Sequence, residues 1–190
     1  DSDLSISAGH VGYCLLNRHY VAEDVYERVL RLARRVEKRT GASLQYLDAG
    51  FPFLNGFPLL PHLSHSDGRK IDFAFIYKER PSGQATTRLR SPIGYWGYVE
   101  KGRFAQEPPR WTDLRWDFDW AQPILAWRAI DFDKSSTRKM LKMIAQDAGV
   151  SRIFLEPPLK RYLGLRSKKI VYQGKRAARH DDHFHVSFKQ

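Results

Sequence analysis

Residues 183–188 read HFHVSF, and this stretch decides both the fold and the site. Successive side chains of a β-strand point to opposite faces. On a strand, His183 and His185 share one face with Ser187, while the apolar residues that alternate with them lie on the other face. The apolar face needs a hydrophobic core, whereas the histidine face is suited to a cleft. The stretch therefore predicts a strand with a core on one side and polar chemistry on the other.

A second group of histidines lies in residues 62–72, which read HLSHSDGRKID. Asp72 falls at the start of an apolar segment, where a carboxylate is costly unless it has a partner. His65 precedes it, and the intervening Ser-Asp-Gly favours a turn. A turn followed by a strand brings His65 and Asp72 to the same point. The two histidine groups therefore need to be considered together.

His65, Asp72 and His185 form a candidate set of metal ligands. Zinc binds nitrogen and oxygen ligands tetrahedrally, and catalytic zinc sites use three protein ligands and leave the fourth position open. Cys14 is the only cysteine, so clusters of cysteine ligands are excluded. The residues alone leave two alternatives open, namely structural or solvated histidines and a purification tag. The alternation with apolar residues argues against a tag.

The rest of the chain predicts an α+β fold with a mainly antiparallel sheet. With 190 residues, 42% of them hydrophobic, the chain suffices for one core and is too short for two ordinary domains, so we expect a single domain over 1–190. Strands and helices follow one another without a βαβ rhythm. The pattern predicts helices over 22–40 and 136–148 and strands over 43–47, 70–77, 152–155, 169–172 and 183–188.

The two helices are predicted from apolar residues at helical spacing. The first stripe is Val25, Val29, Leu32, Ala33 and Val36, and Gly41 follows as a C-terminal cap. The second stripe is Met140, Leu141, Ile144 and Ala148. Residues 79–131 differ, because they contain all five tryptophans and no clean period. We expect this Trp- and Pro-rich segment to be an elaboration packed on the core by its aromatic side chains.

The charge points to a polyanionic partner. The chain has 32 Lys and Arg against 21 Asp and Glu, a formal net charge of +11. That favours nucleic acid, an anionic membrane surface or the anionic polymers of a bacterial wall. The basic run from Lys160 to Arg179 is either a cationic approach to the site histidines or a solvated face. No apolar run is long enough to predict a membrane span.

The motif Ser64-His65-x-x-Gly68-x-x-x-Asp72 resembles the S-x-H-x-x-G-x-x-x-D signature of the LAS-type zinc peptidases. That group includes lysostaphin-type enzymes, D-Ala-D-Ala metallopeptidases and the hedgehog fold. The H-x-H at residues 183–185 is similar to the second signature of the group, in the same order along the chain. The resemblance implies a hedgehog or DD-peptidase-like fold, a Zn²⁺ cofactor and hydrolysis of an amide bond.

Further histidines are most similar to those of the penicillin-insensitive murein endopeptidases. These are His62, three residues before His65, and His180, three residues before His183. The resemblance implies His65, Asp72 and His185 as zinc ligands, with His183 beside the metal. His180 takes the place of a glutamate and is the general base or its partner. His62 belongs to the second shell or to a second metal, and Asp181 or Asp182 either orients an imidazole or is a solvated loop residue.

The resulting expectation is a zinc metallopeptidase that cleaves stem or cross-bridge peptides of peptidoglycan. Zinc lowers the pKa of a bound water to about 7, and histidine titrates close enough to neutrality to move the proton. The substrate is peptidoglycan or a muropeptide, with no stable nucleic-acid partner. The N-terminal DSDLSISAGH has no leader-like features, so either the chain is cytoplasmic or a leader has been removed; the resemblance favours a periplasmic or extracellular location in bacteria. Two other functions stay open: a metal-dependent nuclease, and a non-enzymatic basic binding module with structural zinc.

Overall fold

The computed structural model describes residues 5–50, 65, 67–95, 130–174, 180 and 182–190. Its strands in chain order are β1 (Ile6–Ala8), β2 (Leu44–Tyr46), β3 (Lys70–Ala74), β4 (Tyr77–Glu79), β5 (Ala85–Thr86), β6 (Ile130–Phe132), β7 (Val150–Phe154), β8 (Ile170–Val171) and β9 (His183–Phe188). Its helices are α1 (Val11–Leu15), α2 (Glu23–Thr40), α3 (Lys134–Gln146) and α4 (Pro157–Tyr162). Within these described ranges, no helix is long and apolar enough to cross a membrane.

The main sheet has six strands in the order β1-β2-β3-β9-β7-β8. The three inner pairings are antiparallel, and the pair at each edge is parallel. A second, antiparallel sheet has the order β5-β4-β6. The predicted α+β class with a mainly antiparallel sheet is confirmed. The prediction of a single domain concerns the whole chain and stays a prediction.

The register between β3 and β9 separates a core face from a polar face. Phe73 pairs with Phe184, and Asp72 pairs with His185. The rings of Phe73 and Phe184 stack with centroids 5.7 Å apart, inside a cluster of buried apolar residues to which α2 and α3 also contribute. Both helices therefore cover the apolar face, and the histidines of β9 lie on the opposite face. The alternation predicted for residues 183–188 is confirmed.

The helix predicted over 22–40 is confirmed as α2. All five apolar residues of its predicted stripe are buried, and Gly41 ends the helix in the left-handed conformation with φ 70°. The helix predicted over 136–148 is α3, which begins earlier because the side chain of Asp133 accepts a hydrogen bond from the backbone N of Ser136, 3.1 Å away. Burial of Ala148 was a wrong prediction. Because α3 ends at Gln146, Ala148 lies in a turn and is exposed, and Ala145 is buried instead.

The strand predicted over 70–77 is two strands. β3 ends at Ala74 because its partner β9 begins at His183, opposite that residue. The next backbone groups bond to the start of α3 instead. Ile76 N donates to Thr137 Oγ1 at 3.1 Å, and Ile76 O accepts from Asp133 N at 2.9 Å. The chain then enters the second sheet as β4. The remaining predicted strands correspond to β2, β7, β8 and β9, each displaced by no more than two residues at an end.

The Trp- and Pro-rich segment is described only at its two ends. Residues 79–95 contain β5 and the buried Leu89, and β6 begins at Ile130 and pairs with β4. All five tryptophans and the aromatic packing predicted for them lie outside the described residues. The short sheet formed by β4, β5 and β6 was not predicted.

Candidate metal centre

Three side chains on the polar face of the sheet bring one ligand atom each to a common point. His65 Nε2 lies 3.1 Å from His185 Nδ1 and 3.3 Å from Asp72 Oδ1. His185 Nδ1 lies 2.9 Å from Asp72 Oδ1. All three residues are at most 2% exposed. These are the residues predicted as zinc ligands, and among the described residues they form the one group whose atoms suit a metal ion.

Each ligand reaches this point through a local feature of the chain. Asp72 and His185 are direct cross-strand partners on β3 and β9. His65 arrives through a turn in which Gly68 has a positive φ of 66°, which favours glycine. Asp67 supports the turn, because its Oδ1 accepts a hydrogen bond from the backbone N of Arg69 at 3.0 Å. The turn is described at Asp67 and Gly68, and His65 lies beside the strand pair.

The outer nitrogens of both histidines are held by hydrogen bonds. His65 Nδ1 lies 2.9 Å from the carbonyl oxygen of Ala49. A carbonyl only accepts, so Nδ1 carries the hydrogen and the neutral ring presents the lone pair of Nε2 to the site. His185 Nε2 lies 3.4 Å from Ser187 Oγ, which leaves Nδ1 for the site. Metal-binding histidines use this kind of second contact to set their tautomer and orientation.

The donor set fits zinc. Tetrahedral zinc with bonds of 2.0–2.1 Å places neighbouring ligand atoms about 3.3 Å apart. The three distances here, 2.9 to 3.3 Å, are close to that spacing. Two imidazole nitrogens and one carboxylate oxygen are also ligand types that zinc accepts. Bound there, the ion would be held by His65, Asp72 and His185.

The local charges favour a cation at this point. Burial by itself lowers the pKa of His65, but the nearby carboxylates of Asp72 and Asp48 and the hydrogen bonds to Asp72 and Ala49 outweigh it, so the net shift of the pKa is upward. The carboxylate of Asp72 stabilises a proton on His65, and it would stabilise a bound metal ion for the same reason, because each places positive charge beside it. Metal binding requires the neutral imidazole and therefore displaces that proton.

His183 stands beside the three ligands and is oriented by Asp182. Its Nδ1 lies 2.5 Å from Asp182 Oδ1, and its Nε2 lies 3.8 Å from Asp72 Oδ2. Asp182 is buried, so of the two alternatives considered for it, the structure favours the one that orients an imidazole. Asp181 lies outside the described residues. The carboxylate–imidazole pair points its second nitrogen at the metal centre.

His180 packs next to His183 at the edge of the centre. Their ring centroids are 4.8 Å apart, and the ring of His180 is 6.1 Å from that of His185. Two hydrogen bonds join the backbone of His180 to Glu156. Glu156 N donates to His180 O at 3.2 Å, and His180 N donates to Glu156 Oε1 at 3.3 Å. Phe154 contacts both His180 and His185 and forms an apolar wall beside them.

Tyr95 belongs to the centre, although none of the sequence motifs includes it. Its hydroxyl donates to Asp72 Oδ2 at 2.8 Å, and its ring meets His183 edge-on with centroids 4.7 Å apart. Burial, with the carboxylates of Asp72 and Asp48 next in effect, holds the pKa of Tyr95 well above its usual value. The hydroxyl therefore stays protonated and remains a donor. The sequence offers only one signal for it, its place in the aromatic segment 79–131.

An ion pair between the partly buried Arg18 and the buried Asp48 supports the loop that carries Ala49. Asp48 accepts from Arg18 Nε at 2.6 Å and from a second guanidinium nitrogen. Arg18 and Tyr20 bond to residues 49 and 50 through backbone hydrogen bonds, including Ala49 N to Arg18 O at 2.9 Å. Asp48 O also accepts from Asp72 N at 2.7 Å. No short motif predicts these contacts, since they join segments far apart in the chain.

The five described residues among the predicted site residues all meet at this centre. They are His65, Asp72, His180, His183 and His185. His62 lies outside the described residues, so its predicted place in a second shell or at a second metal stays a prediction. Comparison with protein-family models and with characterised protein sequences gives no match for this chain.

Proposed function

We propose that this protein is a zinc-dependent peptidase that hydrolyses an amide bond in the stem or cross-bridge peptides of peptidoglycan. The observation that carries the proposal is the convergence of His65 Nε2, Asp72 Oδ1 and His185 Nδ1, with an oriented histidine beside them. A mainly antiparallel sheet that carries two ligands on paired strands suits the hedgehog or DD-peptidase-like fold that the motifs imply. The motif resemblance supplies the substrate class.

Each of the three ligand residues binds zinc through one specific atom. His65 and His185 bind through the nitrogens left free by Ala49 O and Ser187 Oγ. Asp72 binds through Oδ1, since Tyr95 engages Oδ2. Zinc bound in such a site polarises a carbonyl and makes water acidic enough to act as a nucleophile near neutral pH.

His183 is the general base in this proposal, with His180 as its neighbour. Asp182 accepts the hydrogen on His183 Nδ1, so Nε2 is the nitrogen that receives a proton from the attacking water. Returning that proton to the leaving amine completes the hydrolysis. Asp182 also stabilises the imidazolium that exists between these two transfers. His180 lies close enough to assist through its ring contact with His183.

The charge of the chain agrees with a wall substrate in the periplasm or outside the cell. Peptidoglycan stems end in carboxylates, and a net charge of +11 attracts an anionic polymer. Such a polymer is met in the bacterial periplasm or at the cell surface, which is the location we propose.

The test is to measure zinc and muropeptide release on the same protein. We expect about one zinc per chain, because the three ligand atoms surround a single point. His65→Ala, Asp72→Ala and His185→Ala are each expected to lose most of the metal. Digestion of purified peptidoglycan, followed by mass analysis of the soluble products, is expected to identify the bond cut, with activity abolished by a chelator and restored by zinc.

His10→Ala is the matched control, because His10 is an exposed histidine at the start of α1, far in sequence from the ligand motifs. This variant is expected to keep the zinc and the activity of the wild type. Full zinc retention in two of the three ligand variants would reject the metal site. Intact peptidoglycan after digestion with a zinc-loaded protein would reject the peptidase.

A further inference from the structure

Next to the metal centre, three donor side chains lie side by side across the sheet. Lys70 on β3 pairs with Ser187 on β9, and Ser187 pairs with Arg152 on β7. The adjacent row on the same face contains Asp72 and His185 of the metal centre. Because same-face residues on a strand are two positions apart, the two rows are separated by about 6.8 Å.

The row is accessible, unlike the metal centre. Arg152 is exposed, while Lys70 and Ser187 are partly exposed. Arg152 reaches this face because a register shift between Val150 and Arg152 turns it to the side of Phe154 and His185. Within the described part of the chain, its guanidinium has no ion pair. Five N–H donors are therefore available at the edge of the site.

Ser187 connects this row to the metal centre. When His185 binds through Nδ1, its Nε2 carries the hydrogen and donates to Ser187 Oγ, 3.4 Å away. The hydroxyl of Ser187 then accepts from His185 and keeps its own hydrogen for another acceptor. That hydrogen, the Lys70 ammonium and the Arg152 guanidinium are three donors on neighbouring strands of one row.

Among the described residues, one carboxylate, that of Asp67, would compete with a ligand for the ammonium of Lys70. Lys70 Nζ lies 2.6 Å from Asp67 Oδ2, and both side chains of this pair are partly exposed. Exposed ion pairs contribute about 0–1 kcal/mol, so a ligand can take over the ammonium at little cost. The row keeps a net positive charge even with Asp67 included.

We propose that Lys70, Ser187 and Arg152 form a subsite for a carboxylate of the substrate. An extended peptide advances about 3.3–3.6 Å per residue, so a carboxylate bound at this row lies about two residues from the amide that is cut. This inference rests on the proposed function, because it takes the metal centre as the place of cleavage. The ligand class is an acidic peptide with a free carboxylate near the scissile bond.

The experiment compares muropeptides with free carboxylates to the same muropeptides after chemical amidation. Binding is measured by titration calorimetry on chelator-treated protein, which does not turn over, and cleavage is measured on zinc-loaded protein. We expect the wild type to bind and cleave the free form about tenfold better, as charge-assisted hydrogen bonds allow. In Lys70→Gln/Arg152→Gln this preference is expected to disappear, because the free form loses the two charged donors that distinguish it from the amidated form.

The control is Arg35→Gln/Lys38→Gln, which removes the same charge from exposed positions of α2 on the other side of the sheet. It is expected to keep the preference, which separates a local subsite from the overall charge. Equal binding and cleavage of the two forms by the wild type would overturn the subsite and leave the peptidase intact. Binding preference without any cleavage would overturn the peptidase and leave the subsite. A preference retained in the Lys70/Arg152 variant would also overturn the subsite.

Discussion

Asp72 is the residue on which the candidate site depends most. Its carboxylate faces two histidines and the hydroxyl of Tyr95, and both of its backbone groups bond to residues 47 and 48. A buried carboxylate is stable only with partners of this kind. The Ala49 carbonyl that orients His65 follows directly in the same loop. Position, tautomer and charge at the candidate centre are therefore set by neighbours outside the three candidate ligands.

Tyr95→Phe tests one of these neighbours. The change removes the hydroxyl that donates to Asp72 Oδ2, and loss of such a contact typically lowers metal affinity about 10–100-fold. We expect that decrease in a zinc competition titration, made at a temperature at which a thermal unfolding scan shows the variant to be folded. Tyr13→Phe is the control, because its hydroxyl donates to Ile93 O and not to a ligand. Equal zinc affinity in both variants and the wild type would show that Tyr95 does not position Asp72.

His183→Ala separates a base from a ligand. The residue points Nε2 towards the centre without joining the three close ligand atoms, so the variant is expected to keep zinc. Loss of a general base typically lowers turnover by about 10²–10⁴-fold. His180→Ala is expected to change turnover in the same direction. The double variant is expected to be little worse than the more damaged single variant if the pair acts as one unit.

Zinc content and turnover are to be measured on the same preparations of these variants, with His10→Ala as the histidine outside the site. Wild-type turnover in His183→Ala would remove its catalytic role. Loss of zinc in that variant would instead make His183 a ligand.

At the scale of elements, the start of α3 joins the second sheet to the helical layer. Asp133 caps the helix through Ser136 N and pairs with Lys78 of β4, with Oδ2 3.2 Å from Nζ. Burial alone raises the pKa of Asp133, but the hydrogen bonds from Ser136 and the charge of Lys78 outweigh it, so the net pKa is lowered. The ionised form is therefore the one that stabilises the fold.

Asp133→Ala is expected to lower the free energy of unfolding by about 1 kcal/mol near neutral pH, the usual cost of losing a helix cap. A lowered pKa means that this stabilisation is complete above the ordinary aspartate pKa of about 3.9 and is lost as the pH falls through the lower, folded value. The difference between variant and wild type should therefore shrink in acid. Denaturant unfolding at several pH values measures it.

Asp133→Asn is the matched variant, because asparagine caps a helix about as well but carries no charge. It is expected to lose less stability than Asp133→Ala near neutral pH. A difference between Asp133→Ala and the wild type that is constant down to pH 3 would contradict the role assigned to the charge.

At the scale of the whole molecule, the sheet separates the polar site from the apolar helical layer, and the chain as a whole carries a formal net charge of +11. The charge alone is equally compatible with nucleic acid. Hydrolytic nucleases usually hold Mg²⁺ with several carboxylates, whereas Asp72 is the one carboxylate among the three described ligand residues. The site therefore favours the peptidase over the nuclease.

We expect the zinc-loaded protein to leave plasmid DNA and RNA intact, and any binding to them to weaken steeply with salt. Counterion release causes that salt dependence whenever phosphates are contacted only electrostatically. Gel assays across a range of salt concentrations, with and without zinc, measure cleavage and binding together. Zinc-dependent nicking alongside intact muropeptides would favour the nuclease instead.

The sequence by itself determined the parts that depend on local spacing. Strand alternation separated His183 and His185 from Phe184 and its apolar neighbours, and helical spacing identified the buried stripe of α2. The turn before Asp72 also follows from its own residues. These features repeat every two or 3.6 positions or lie within a few residues, so neighbouring residues are enough to predict them.

Only the tertiary structure decided which distant groups complete the site. Tyr95 bonds to Asp72, Ala49 O orients His65, and Lys70 and Arg152 flank Ser187 because strands from separate parts of the chain pair in one register. The division of residues 70–77 into β3 and β4 likewise depends on where β9 begins and on the start of α3. Hydrogen bonds between distant segments leave no periodic signal in the sequence, since they are fixed by the packing of the whole sheet.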